Sequence, residues 1–261
     1  MTAPIPRDLP DIPALPRTHP ASAALFAPAR AVVPLVRRPL TAAYRLLLAL
    51  LAAGAVLVEA LLGGPARALS HFTVQSALLL ALVMLASARR AWGARHPLPG
   101  ALTGAALLYV IMASLTHHVL LADAPPPFPT ADAAAGMGRL EPLAAHTLHT
   151  VLPVAAVLDW LLLSPPARLR LRQTATWMLY PLAYLAFTLV RGELLTGSPA
   201  RYLHPFFDVA RHGYRNVLAD ALLMGLALYA LAVLLVALDH ARPNPVRHPP
   251  KTGFRLRLPV G

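Results

Sequence analysis

Six apolar runs constrain this chain more than any other feature of it. They lie at about 40–62, 68–88, 100–121, 142–163, 174–194 and 217–239. Each approaches the roughly 20 residues that an α-helix needs to cross a bilayer. In hydrocarbon a spanning segment must satisfy its own backbone hydrogen bonds, so the runs read as helices. The expected fold is all-α: a polytopic membrane protein with a six-transmembrane-helix bundle over residues 39–240. A Pro/Arg-rich tail, 1–38, precedes it and a basic tail, 241–261, follows. Pro4, Pro6, Pro10, Pro13, Pro16, Pro20, Pro28 and Pro34 forbid a long helix in the first tail, and both tails are expected to be disordered. Charged residues make up 13% of the chain, against about 25% in soluble domains, which agrees with a membrane solvent.

The formal charge of +12 would suggest a nucleic-acid partner on a soluble protein. Here the arginines lie in tails and between apolar runs. Control of topology and attraction to anionic lipid account for them, and no nucleic acid is expected. Arg89, Arg90 and Arg95 crowd one short connection, and Arg168, Arg170 and Arg172 another. The positive-inside rule then puts both termini in the cytoplasm. The Ala/Leu/Arg/Pro-rich composition, with Lys251 as the only lysine, suggests a bacterial source and hence the inner (plasma) membrane. The chain has no cysteine, which excludes disulfides, thiolate metal sites and a cysteine nucleophile.

In that orientation the polar residues sort by depth. Glu59 ends the first run. His71, Thr73 and Gln75 open the second, and His117 and His118 end the third. His146 and His149 open the fourth, three residues apart and so on one helix face. Arg191 and Glu193 end the fifth, and Asp220 begins the sixth. The other side offers little beyond Asp159. Ionisable groups inside a membrane are costly, and clustering at one depth points to a shared polar cavity facing outward. Trp177, Tyr180, Tyr184, Thr188 and Arg191 form a stripe that is either aromatic packing or a wall of that cavity. The loop from Tyr202 to Asp208, with its Pro and aromatic residues, is expected to be an ordered cap, and Ala124 to Gly138 a mobile loop.

A threonine hydroxyl becomes a nucleophile when a base removes its proton, and Thr73 with His149 is a candidate pair. Counting from first-turn prolines Pro65 and Pro142, they lie about 12 and about 10.5 Å along their helices, at similar depth. Many Thr–His pairs would satisfy that spacing.

Several motifs add a resemblance. Phe72-Thr73-Val74-Gln75-Ser76 opens the second run, and His146-x-x-His149-Thr150-x-x-Pro153 the fourth. Leu189-x-Arg191-Gly192 is followed by Tyr202-x-x-Pro205-Phe206-x-Asp208 and Gly213-Tyr214. Over residues 40–240 the chain resembles the bacterial Pr-six-Pr membrane proteins. These are similar to the androgen-induced and androgen-dependent integral membrane hydrolases of animals. The resemblance implies a lipid ester hydrolase acting on fatty-acid esters of hydroxy fatty acids, with no cofactor and no metal. It implies Thr73 as nucleophile and His149 as base, and it also matches His146. In the animal branch Leu-Leu-Asn-like residues follow the threonine, where this chain has Val74-Gln75-Ser76. The supporting residues are His146, to orient His149, and Gln75, His71 or Arg191, to stabilise an oxyanion. Glu193, Glu59 or Asp220 is a candidate partner for Arg191. Three alternatives stay open. One is a metal-dependent membrane hydrolase using His71, His117, His118, His146 and His149. Another is a b-type haem protein. The third is a non-enzymatic lipid-binding, transport or scaffold protein.

Overall fold

The computed structural model describes residues 36–121, 140–196 and 201–243. The disorder expected of residues 1–35 and 244–261, and the mobile loop expected at 124–138, lie outside them. Every regular element among the described residues is a helix. We number seven: α1 (Pro39–Gly63), α2 (Phe72–Trp92), α3 (Gly100–Leu120), α4 (Leu140–Leu163), α5 (Leu171–Trp177), α6 (Leu179–Leu194) and α7 (Val209–Ala241), which is kinked at Gly213, where φ is +73°. A single turn, Pro65–Ala68, links α1 to α2, and a 3-10 turn, Pro205–Phe207, precedes α7. Among the described residues five helices, α1 to α4 and α7, are long and apolar enough to cross a membrane. The architecture is that of an all-α polytopic membrane protein.

The expected count of six spans is corrected by the fifth run. It divides at Met178 into α5 and α6, and neither reaches 18 residues. The physical cause is Pro181. It has no N–H to give the carbonyl of Trp177 and its ring crowds that group. Tyr109 of α3 fills the vacancy, its hydroxyl donating to the Trp177 carbonyl at 2.8 Å.

The outward surface is apolar, as a lipid solvent requires. On α1, Ala42, Arg45, Ala49, Ala52, Val56 and Glu59 recur at three- and four-residue spacing and are buried. Leu46, Leu50, Leu57 and Leu61 point away and are exposed. Small residues on the inner face let backbones approach closely. Gly104 of α3 does the same under Trp177: a Cβ there would lie 2.7 Å from the indole. Trp177 is further held by its N–H donating to the Ala101 carbonyl at 2.9 Å. Gly104→Ala is therefore expected to cost about 1–3 kcal/mol by overpacking. Gly54→Ala, where a Cβ meets nothing within 4 Å, should be neutral or stabilising by the gain in helix propensity. Melting temperatures of the two variants in one detergent compare them directly, and equal values would contradict the packing assigned to Gly104.

The bundle end at Arg45 is tied by two charge clusters. Arg45 grips Asp159 with two nitrogens, at 2.7 and 3.1 Å, and Ser164 bridges the pair. Arg242 pairs with Asp239 at 2.7 Å and donates to the carbonyls of Trp160, Ser164 and Pro165 at the end of α4. Arg242 was expected in the disordered tail. Its side chain is instead only 7% exposed, so the ordered domain runs past residue 241. Glu59 lies fourteen residues beyond Arg45 on the same face of α1, about 21 Å along the axis, and marks the other end.

Candidate functional site

At that other end is a cavity of about 990 Å3, near the upper limit of the roughly 300–1,000 Å3 usual for ligand sites. Its walls are mainly apolar, with Phe72, Met112, Leu148, Met178, Leu185 and Phe206 among them. Its polar groups come from every long helix. Glu59 is from α1, Thr73 from α2, Thr116 and His117 from α3, Glu141 and His149 from α4, and Arg211 from α7. Arg67 and His71 from the α1–α2 connection, Tyr184 from α6, and Tyr202, His204 and Asp208 from the α6–α7 loop add to them.

Thr73 lies in the first turn of α2. The depth expected from Pro65 is corrected here, because Pro65 opens only the isolated turn Pro65–Ala68. Gly64, at φ +79°, ends α1 in a conformation that a Cβ would strain. The N-terminus of α2 is instead fixed by Tyr184. Its hydroxyl accepts from the Phe72 N–H at 3.1 Å and donates to the Ser70 carbonyl at 3.2 Å. The Thr73 hydroxyl makes no hydrogen bond among the described residues, and none joins it to His149.

His149 is shaped by Pro153, four residues on. Proline again leaves an i−4 carbonyl without its donor, and the helix responds with a π-turn over Thr147–Val151. The freed His149 carbonyl accepts from the Ser114 hydroxyl at 2.6 Å, with His118 Nε2 3.2 Å away. The His149 imidazole stacks on His117 with ring centroids 3.8 Å apart and planes at 11°. Its Nδ1 is buried without a hydrogen bond of normal geometry. The residue touching this ring is thus His117. His146, expected to orient it, is exposed, because the π-turn displaces the face that simple helical spacing gives the pair.

Of the other expected supporting residues, His71 lines the cavity and Gln75, Arg191 and Glu193 do not. Gln75 spends its amide elsewhere: Tyr180 donates to its Oε1 at 2.6 Å, and its Nε2 donates to the Leu69 carbonyl at 2.7 Å. Arg191 donates to the Arg201 carbonyl at 2.9 Å. Glu193 is exposed and accepts from Tyr214 at 2.7 Å. The aromatic stripe is mostly packing. Trp177 and Tyr180 anchor α3 and α2, and only Tyr184 of the stripe reaches the cavity. Sequence reasoning missed Arg67, Glu141, His204 and Arg211. The loop motif around His204 was visible, but nothing in spacing says that a loop residue turns inward. Among the described residues no group of three or more His, Asp or Glu could hold a metal ion.

The loop over 202–208 is ordered. Phe207 is buried, and the Asp208 carboxylate caps α7 by accepting from the N–H groups of Ala210 and Arg211 at 3.0 and 3.3 Å. His204 stacks on Phe206, with centroids 5.1 Å apart, and meets His71 edge-on at 5.8 Å. Burial holds its pKa down at about 4. The unfolded chain binds that proton near pH 6.5, so the stability due to neutral His204 is full above about pH 6.5. It is lost as pH falls toward 4. His204→Phe should narrow the fall in melting temperature between neutral and acid pH. An undiminished fall would mean that another group carries it.

Comparison of the chain with models of protein families, with curated proteins and with solved structures finds no match.

Proposed function

We propose that this protein is a membrane-embedded lipid ester hydrolase with Thr73 as nucleophile and His149 as base. The observation that supports it most is convergence. Two side chains from different helices, one a hydroxyl with no hydrogen bond among the described residues, line a single large cavity with apolar walls. In the reaction His149 takes the Thr73 proton while the threonine oxygen bonds to the ester carbonyl carbon. The C–O bond to the alcohol breaks, and the alcohol leaves with the proton returned from His149. Water, deprotonated by the same imidazole, then attacks the threonyl ester; the bond to the Thr73 oxygen breaks, that oxygen takes the proton back from His149, and the fatty acid leaves. Arg67 and His71 stand in the cavity as candidates to stabilise the oxyanion. The resemblance to the Pr-six-Pr proteins and the animal hydrolases supports the same assignment and suggests fatty-acid esters of hydroxy fatty acids as substrates. The arginine-rich connections 89–95 and 168–172 support cytoplasmic termini in a bacterial inner membrane.

One observation favours a second reading, lipid binding without chemistry: Thr73 and His149 share no hydrogen bond. Catalytic contacts often tighten only with substrate bound, so turnover decides. The full chain in phosphatidylcholine vesicles is given a fatty-acid ester of a hydroxy fatty acid, beside His149→Ala. Release of free acid by the parent and not by the variant supports the hydrolase. Equal release by both removes His149 as base.

A further inference from the structure

The cavity does not close where the bundle meets lipid. Leu218, Leu222, Leu226 and Tyr229 of α7 all line it. The same four residues are 51%, 64%, 57% and 46% exposed. Their spacing of four, four and three residues places them along one face of the helix. Leu182 of α6 is likewise both exposed and part of the cavity wall. A side chain that lines a cavity and faces outward marks a mouth. Here the mouth opens on the surface of α7, the most apolar of the five candidate spans.

Its dimensions suit one leaflet. Leu218 to Tyr229 covers about 16.5 Å of helix, and half of a hydrocarbon core is about 15 Å. The polar groups gather at one end of the slot. Glu59 lies near the end of α1, His117 near the end of α3, and Glu141 near the start of α4. Arg211 lies near the start of α7. An apolar shaft with a polar end matches an amphiphile standing in a bilayer.

We infer that the cavity takes its ligand sideways from one membrane leaflet, through a slot along Leu218–Tyr229. The ligand is a single-chain fatty-acid ester whose chain lies against α7 and whose polar group reaches the Glu59–His149 end. The ester class rests on the hydrolase reading; the access route goes beyond it and stands if the ligand is bound and not cleaved.

Gly225 provides the test. It lines the cavity, and a Cβ there meets nothing within 4 Å, so a large side chain enters open space rather than packed neighbours. The full chain is reconstituted in phosphatidylcholine vesicles containing a fatty-acid methyl ester with a diazirine at the chain end. Adducts are mapped by peptide mass spectrometry after illumination. Saturable adducts are expected on peptides carrying Met112 or the buried Leu148, and excess unlabelled ester should compete with them. Gly225→Trp should reduce these about tenfold or more. Adducts on the outward face of α1, at Leu50 and Leu57, should be unchanged. Leu222→Ala trims an exposed side chain without disturbing the core and should increase the interior adducts. Interior adducts undiminished in Gly225→Trp would overturn the inference. So would their absence from the parent while the α1 adducts form, or their insensitivity to Leu222→Ala. Thr73→Ala separates the two readings. Interior adducts that persist there with turnover lost support both, whereas unchanged turnover defeats the hydrolase and leaves the slot standing.

Discussion

Thr73→Ala is expected to abolish covalent labelling by an active-site-directed fluorophosphonate. The parent should carry the adduct on the peptide opening α2. A phosphonate reports the first half of the reaction only, attack by an activated oxygen, and needs no knowledge of the natural ester. Loss of a nucleophile typically costs about a thousandfold or more in rate. Thr73→Ser keeps the hydroxyl and should keep labelling, which shows that the first turn of α2 tolerates substitution. His149→Gln should slow labelling by about 100- to 10,000-fold, the usual worth of a general base. Ser114→Ala should slow it less. The serine holds only the His149 carbonyl, and His118 remains beside that carbonyl. Labelling that persists undiminished in Thr73→Ala would remove Thr73 as nucleophile. Loss in Thr73→Ser as well would assign the effect to structure rather than chemistry.

The candidate pair was legible in the sequence for reasons only partly geometric. Apolar runs located α1, α3 and α4 closely, because length and hydropathy decide whether a helix can span. The clustering of Glu59, His71, Thr73, His117 and His149 at one end also followed from run boundaries alone, and all five line the cavity. What misled was proline. Pro65 looks like the first residue of α2, yet Gly64 and the turn after it detach the two. Pro181 divides the fifth run and removes a span. Pro153 winds α4 into a π-turn, so that His149 meets His117 while His146 is left outside. Each of these consequences depends on which neighbour supplies the missing donor: Tyr109 for Trp177, and Ser114 with His118 for His149. Both sets of donors lie on α3, and no local pattern reveals that. The charge clusters at the opposite end were hidden for a similar reason. Asp159 is more than 100 residues from Arg45, and its pairing is a property of the packed bundle.

The largest effect on stability is expected at Asp239. Its side chain is 1% exposed and serves donors from four residues at once. These are the Trp160 indole at 3.0 Å, the N–H groups of Arg168 and Leu169 at 2.7 and 2.9 Å, and Arg242 at 2.7 Å. Alanine there strands two backbone donors, an indole N–H and a nearly buried guanidinium. Removing one partner of a buried pair costs about 3–5 kcal/mol, because the remaining charge stays desolvated and uncompensated. Arg242→Met leaves a buried carboxylate that three neutral donors still satisfy, so its cost should be smaller. The double variant Asp239→Ala/Arg242→Met removes both charges, and its destabilisation should fall short of the sum of the single costs. Unfolding of the four proteins from mixed micelles by increasing denaturing detergent measures this cycle. A single Asp239→Ala variant within about 0.5 kcal/mol of the parent would show that the cluster is not holding the ends of α4 and α7 together. Strict additivity would show that Asp239 and Arg242 act separately, with the carboxylate serving the 168–169 turn and the guanidinium the α4 carbonyls. Coupling of the expected sign would identify this pair as the fixed end of the bundle, about 20 Å from the cavity on the length of α1.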